Sequence, residues 1–262
     1  MPGLGVLLAL APPLCWGCGG LARRGEPLCV HCRGSLQRLA AEPVVLSGVT
    51  VWAPVAYAGP TRDLVRALKF RGARGVADAM AAQIAANAPP GLLDAGIAPR
   101  DLPQGGVAPR DLPQGGVAPR DLPRGGVAPC YPASSLTRPS LVPVPLHPRR
   151  LRSRGYNQAA EIARALALRT GLAVADCLAR SGAAAPQVGR DRAERRGGPA
   201  GAMVMRPPCA NPPGSVPLGA ARVLLVDDVA TTGATLAACR AALLAAGASD
   251  VSAVVFARTL GR

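Results

Sequence analysis

The stretch VLLVDDVATTGATL, residues 223–236, decides the fold. The strongly apolar stretch over 221–227 reads as a strand covered on both faces, and the pattern over 235–246, stopped by Gly247, reads as a helix. Asp227 and Asp228 end the apolar run, and Val229, Ala230, Thr231, Thr232, Gly233, Ala234 and Thr235 lead into the helix. A parallel strand delivers its last side chains to the carboxyl edge of its sheet, where open α/β folds bind ligands. Small residues let backbone N–H groups converge there, threonines add hydroxyl donors, and the helix start adds partial positive charge, which together describe a phosphate cradle. Carboxylates would repel that phosphate, so the two acids must serve another part of the ligand. Adjacent acids suit the vicinal hydroxyls of a ribose, with Mg²⁺ nearby. The ligand implied is a ribose 5-phosphate unit. The rival reading is any strand–turn–helix in which acids happen to end a strand, as in a receiver-like sheet.

Outward from this stretch the punctuation alternates. Residues 141–145 read as a strand followed by a basic loop, 157–169 as a helix ending at Gly171, 172–177 as a strand and 249–257 as another. Upstream, 49–57 reads as a strand, with helices over 61–70 and 76–88. Such alternation predicts an α/β fold, a parallel sheet with helices on both faces. Residues 96–129 hold a decapeptide array (GIAPRDLPQG, GVAPRDLPQG, GVAPRDLPRG, GVAP), too rich in proline and glycine for regular structure and too poor in large apolar side chains for a solenoid. The expected division is a four-cysteine module at 1–40, an early part of the main domain at 41–95, a disordered insertion at 96–138, and the ligand-binding domain at 139–262.

With 49% hydrophobic residues the chain is no wholesale disordered polymer, and with 3% aromatics its core must be filled by alanine, valine and leucine. The formal charge is +15, and all but one of the 30 basic side chains are arginine, Lys69 being the exception. Guanidinium forks suit phosphates, so anionic partners are one reading, and GC-rich codon usage is the other. The apolar run over 4–14 is too short to span a membrane and lacks a basic leader, so it is expected to pack on the domain behind it in a cytoplasmic protein.

Cys15, Cys18, Cys29 and Cys32 read C-x2-C-x10-C-x2-C. Two such knuckles aim four thiolates at one point, the shell of a structural Zn²⁺, against two disulfides in a secreted chain or a redox pair. His31 is read as a solvent-facing neighbour rather than a ligand. Arg23, Arg24, Arg33 and Arg38 surround the cluster and suit either nucleic acid or docking to the second domain. Cys177 and Cys239 lack metal spacing and read as buried packing, and Cys130 and Cys209 also lack it.

The acids and the turn after them resemble the signature of type I phosphoribosyltransferases, which bind 5-phosphoribosyl 1-diphosphate (PRPP). YAGPTRDLVRALKFRG (57–72), LVPVPLHPRRLRSRGYNQAAEIARAL (141–166), PQVGRDRAERR (186–196) and VLLVDDVATTGATL occur in the order found in the ComF family, phosphoribosyltransferase-like proteins linked to bacterial competence and DNA uptake. The likeness implies an N-terminal zinc ribbon on a type I phosphoribosyltransferase-like sheet. It implies that Asp227 and Asp228 hold the ribose hydroxyls, and that Thr231, Thr232, Gly233, Ala234 and Thr235 hold the 5-phosphate. Leu146, His147, Arg149 and Arg150 would form the diphosphate loop, with Arg149 and the two acids catalytic, and 187–196 would be a mobile loop that closes over the ligand. His147, between a leucine and a proline, reads more readily as structural than as an aid to diphosphate departure. For the run Arg149, Arg150, Arg152 and Arg154 a merely solvated or nucleic-acid-facing surface stays open.

Two departures bear on the chemistry. Thr231 stands where six-oxopurine enzymes of this class carry an aspartate base, and a threonine hydroxyl is no general base near neutral pH, so hypoxanthine or guanine salvage is not expected. The pair Glu194–Arg195 is followed by Arg196, Gly197 and Gly198, where the family usually has an asparagine and an aromatic. The segment before the sheet lacks the build of a glutaminase domain, so glutamine amidotransfer is not expected either. What remains is an enzyme that transfers phosphoribosyl to an unknown nucleophile, or a non-enzymatic accessory of DNA uptake that binds a nucleotide, single-stranded DNA or a helicase.

Overall fold

A computed structural model describes residues 13–93, 138–180, 203–206 and 222–260. The decapeptide array, the expected mobile loop at 187–196, Cys130 and Cys209 lie outside these residues. The protein is a mixed α/β molecule built on a mostly parallel sheet with helices on both faces.

The central strand, β7 (Arg222–Ala230), lies between β8 (Asp250–Arg258) and β4 (Ser140–Pro143), parallel to both. Beyond β8 come β2 (Val49–Trp52) and β3 (Val55–Ala56), both parallel to it, and β1 (Val44–Leu46) closes an antiparallel hairpin on β2. The strand expected over 49–57 is thus two strands. Pro54 interrupts it, having no N–H for the ladder, and its carbonyl accepts from the Leu39 N–H instead (2.9 Å). The strand expected at 172–177 shrinks to a single bridge, Val174 to Leu141, on the outer side of β4. A separate two-stranded antiparallel sheet, β5 (Leu178–Arg180) with β6 (Met203–Met205), had no counterpart among the sequence expectations.

Side chains alternate across the pleat and sort the core into two layers. Leu224, Val226, Val254 and Phe256 face one side, against α2 (Pro60–Phe70), α3 (Val76–Asn87) and α5 (Gln158–Thr170). Val223, Leu225, Ala253 and Val255 face the other, against Leu236, Cys239 and Leu243 of α6 (Ala234–Ala245). Because both faces are covered, β7 and β8 read as continuous apolar runs rather than alternating ones. Each buried leucine or phenylalanine contributes about 1.5–3 kcal/mol by leaving water. Cys177 and Cys239 are buried in the second layer, as their lack of metal spacing predicts.

The helices begin and end where the sequence punctuates them. Asn157 caps α5 by accepting from the Ala159 N–H (3.2 Å), and Gly171 ends it in the left-handed region at φ 68°. Pro60 sits in the first turn of α2, where a missing N–H costs nothing. The basic loop expected after β4 is itself helical, as α4 (Pro148–Arg154). A shorter helix, α1 (Val30–Gly34), carries the second cysteine knuckle. No helix among the described residues is long and apolar enough to cross a membrane.

Candidate functional site

The acids lie inside β7 rather than at its end, because the strand pairs with β8 as far as Ala230. On its other side β4 stops at Pro143 opposite Val226, so both acids project beyond the end of that neighbour. The pleat sends them to opposite faces of the sheet. Asp228 follows Leu224 and Val226 towards the α2 layer, where its Oδ1 meets Lys69 Nζ at 2.9 Å. Its side chain is only 6% exposed, so the ammonium partner offsets most of the cost of burying that charge. Asp227 follows Val223 and Leu225 towards α6. Burial, with the Asp228 charge second, pushes the Asp227 carboxyl up to about 7; the Asp228 N–H, donating to Asp227 Oδ1 at 2.8 Å, and Lys69 oppose the rise.

Past Asp227 the chain turns through Thr231, Thr232 and Gly233 into α6. Gly233 has φ 83°, and a Cβ there would lie 2.7 Å from Leu46 Cβ and 2.8 Å from Leu46 O, so only glycine fits. Ser47 Oγ donates to the Thr232 carbonyl (2.8 Å), fastening the turn to the β1–β2 hairpin. Thr231, Thr232 and Ala234 are exposed and Thr235 half-buried. Together with Asp227 they line a small open depression at the start of the twelve-residue helix α6. A dipole end, hydroxyls and small residues around one depression can hold an anion.

The second expected loop leaves the same edge of the sheet, since the Val144 N–H donates to the Val226 carbonyl (2.9 Å) just before the acids. Leu146 and His147 are half-buried, whereas Arg149 and Arg150 are exposed. His147 caps α4, its Nδ1 accepting from the Arg149 N–H (3.2 Å), which is the structural role its sequence context predicts. Helical geometry separates the two arginines. Arg150 lines a cavity with Lys69 and Arg154, and Arg149 does not line it.

Against the α2–α3 layer, the Sγ atoms of Cys15, Cys18, Cys29 and Cys32 all lie within 4.8 Å of one another. No disulfide joins them. The Cys18 and Cys29 sulfurs are 3.8 Å apart, which matches the edge of a tetrahedron with metal–sulfur bonds of about 2.3 Å and is far from a disulfide length of about 2.05 Å. The first knuckle is a tight hairpin, with Cys15 N–H on the Gly20 carbonyl and Leu14 bridged to Leu21. The second departs from a ribbon, because Cys29 is the N-cap of α1 and its sulfur accepts from the Cys32 N–H (3.5 Å). Burial pushes the Cys15 thiol up, yet nearby N–H groups of Cys29, Cys18 and Gly17 outweigh it and bring the thiol down to about 6. Burial and the other three sulfurs push Cys32 well up, and a bound cation would favour its thiolate. The set could hold a metal ion. His31 is exposed and outside the cluster. Cys15, Leu28, Cys32 and Leu36 share one apolar cluster with α2 and α3, so the module is docked on the sheet.

Sequence reading missed three contributors: Lys69, which holds Asp228, and Leu46 and Ser47, which close on the turn. A lone lysine in a chain that otherwise uses arginine was the available signal. Nothing in the hairpin residues pointed to a partner almost two hundred positions away.

The fold and these sites define an α/β protein with a mostly parallel sheet, an acid-flanked depression at its carboxyl edge and a four-cysteine cluster. Comparison with protein-family models and with curated proteins finds no match.

Proposed function

We propose that the protein binds Mg–PRPP or another ribose 5-phosphate ligand at the end of β7 and acts as a type I phosphoribosyltransferase-like enzyme of ComF kind, moving the phosphoribosyl group to a nucleophile. The observation that carries this reading is that Asp227 and the turn from Thr231 to Thr235 line one depression at a helix start. Turn hydroxyls and N–H groups there suit a 5-phosphate, and Asp227 suits a ribose hydroxyl. Asp228 can join it only by sharing or releasing Lys69, so the lysine sets how tightly the second acid holds the sugar. In the transfer the bond from the anomeric carbon to the diphosphate oxygen breaks, the diphosphate keeps the electron pair, and the acceptor donates a pair to that carbon. Arg149 and Arg150 would face the charge of the departing diphosphate, where Mg²⁺ would supply further neutralisation. With Thr231 at the base position, the acceptor must already be nucleophilic or lose its proton elsewhere.

The same reading assigns structural Zn²⁺ to Cys15, Cys18, Cys29 and Cys32, a closed four-thiolate set that supports folding rather than catalysis. Calorimetric titration of PRPP, with and without Mg²⁺, into the wild type and Asp227→Asn/Asp228→Asn tests the function. Magnesium-dependent binding lost in the double variant is the expected result. Absence of binding to folded wild type would overturn it.

A second reading, a non-enzymatic accessory of DNA uptake that binds nucleotide, single-stranded DNA or a helicase, draws on the arginines set over aromatic rings. Arg71 lies over Trp16 (5.8 Å) and Arg154 over Phe70 (5.0 Å), whose ring is exposed. A DNA affinity that falls steeply with salt would favour it.

A further inference from the structure

Between the cysteine module and α3 lies a cavity of about 200 Å³ that shares no residue with the depression at the end of β7. Leu28 and Leu36 of the module, Leu64 of α2 and Phe256 of β8 give it an apolar floor, each of them buried. On α3, Ala82 and Gln83 fall three and four positions after Ala79 and so form one wall with it. The small side chains at two of these positions leave the space open. The charged groups around the cavity are already matched. Glu26 pairs with Arg33 inside the module, and Arg169 Nη2 reaches both oxygens of Asp78 at 2.7 Å. A charged guest would therefore find no spare counter-ion, which selects a neutral one. Gln83 is the unmatched group: its Oε1 is buried and has no hydrogen-bond partner among the described residues. A dry acceptor gains from a donor that reaches it, and the terminal torsion of a glutamine is soft enough to turn towards one. A dry cavity of about 150 Å³ admits a benzene ring, so there is room here for a slightly larger ring system.

We propose that this cavity binds a small neutral aromatic molecule whose single N–H or O–H donates to Gln83 Oε1. The molecule rests on Leu28 and Leu36 of the module and on α3 at once, and so fastens the four-cysteine module to the main domain. The site is independent of the phosphoribosyl-transfer reading, because the two share no side chain.

The test is calorimetric titration of the full-length protein, prepared with Zn²⁺, with indole and with indene, which has the same shape and no N–H donor. Indole is expected to bind and indene to bind about tenfold more weakly, the worth of one hydrogen bond. In Gln83→Met that preference should vanish, with indole falling to the level of indene. Ala82→Leu fills the space and should abolish binding of both. Gln83 is only half-buried, so its variant folds and keeps the test decisive if Ala82→Leu does not. Indole should also raise the melting temperature of the wild type, since the folded state alone brings both walls together. No binding of indole to the wild type, equal binding of indole and indene, a preference that survives Gln83→Met, or binding untouched by Ala82→Leu in a folded chain would overturn the proposal.

Discussion

The cysteine cluster and the acid end of β7 are built in opposite ways. All four sulfurs come from one short segment, and two tight knuckles bring them within 4.8 Å of each other. The acid end is assembled from far-apart pieces: Ser47 bonds to Thr232 across 185 positions, and Lys69 on α2 reaches Asp228 on β7. Spacing alone specifies the first site, since closing a loop of about ten residues costs little entropy. Only the completed sheet creates the second. The cluster should therefore respond chiefly to the metal ion it could hold, and the acid end to any change in packing around it.

The largest effect is expected at the cysteines. With a metal ion bound at the cluster, chelation, or Cys32→Ser, should lower the melting temperature by on the order of 10 °C, because the cluster shares its core with α2 and α3. Calorimetry with and without chelator checks this, and an unchanged transition would break the comparison from the cysteine side. Next, Gly233→Ala should cost about 2–5 kcal/mol, combining left-handed strain with overlap on Leu46. Denaturant melts give the value, and Leu46→Gly in the same chain should return part of it.

Lys69→Met comes third, at about 2 kcal/mol, because it strands the Asp228 carboxylate while the lysine itself is a quarter exposed. Adding Asp228→Asn should recover about half, and a double-mutant cycle showing no coupling would mean the pair contributes nothing. The fourth effect is on pH dependence. Burial and the Asp228 charge push the Asp227 carboxyl up from an ordinary value of 3.8 to about 7, so the folded state holds the extra proton between those values. Its contribution is therefore present at low pH and lost as pH rises from about 4 to about 7, the reverse of a salt-bridged carboxylate. Asp227→Asn should flatten the melting temperature over that window and make the protein more stable than wild type at pH 8.

Much of the fold was legible in the residues. The apolar runs at β7 and β8 and the glycine stops after α5 and α6 gave the elements to within a few positions, because hydrophobic period and capping are local. The split at Pro54, the helical turn at Pro148–Arg154 and the small β5–β6 sheet were not, because each depends on which partner happens to lie alongside. The site divides along the same line. The acid-to-threonine turn could be read directly, and so could the four cysteines. Their environment could not.

The sequence by itself determined the four-sulfur set, the strand–turn–helix with its required glycine, and the apolar runs that demand a sheet covered on both faces. Only the tertiary structure decided that Asp227 and Asp228 part company, one towards α6 and one towards Lys69. A pleated strand alternates its side chains, and which layer lies above or below each acid is settled by topology rather than by neighbours in the chain.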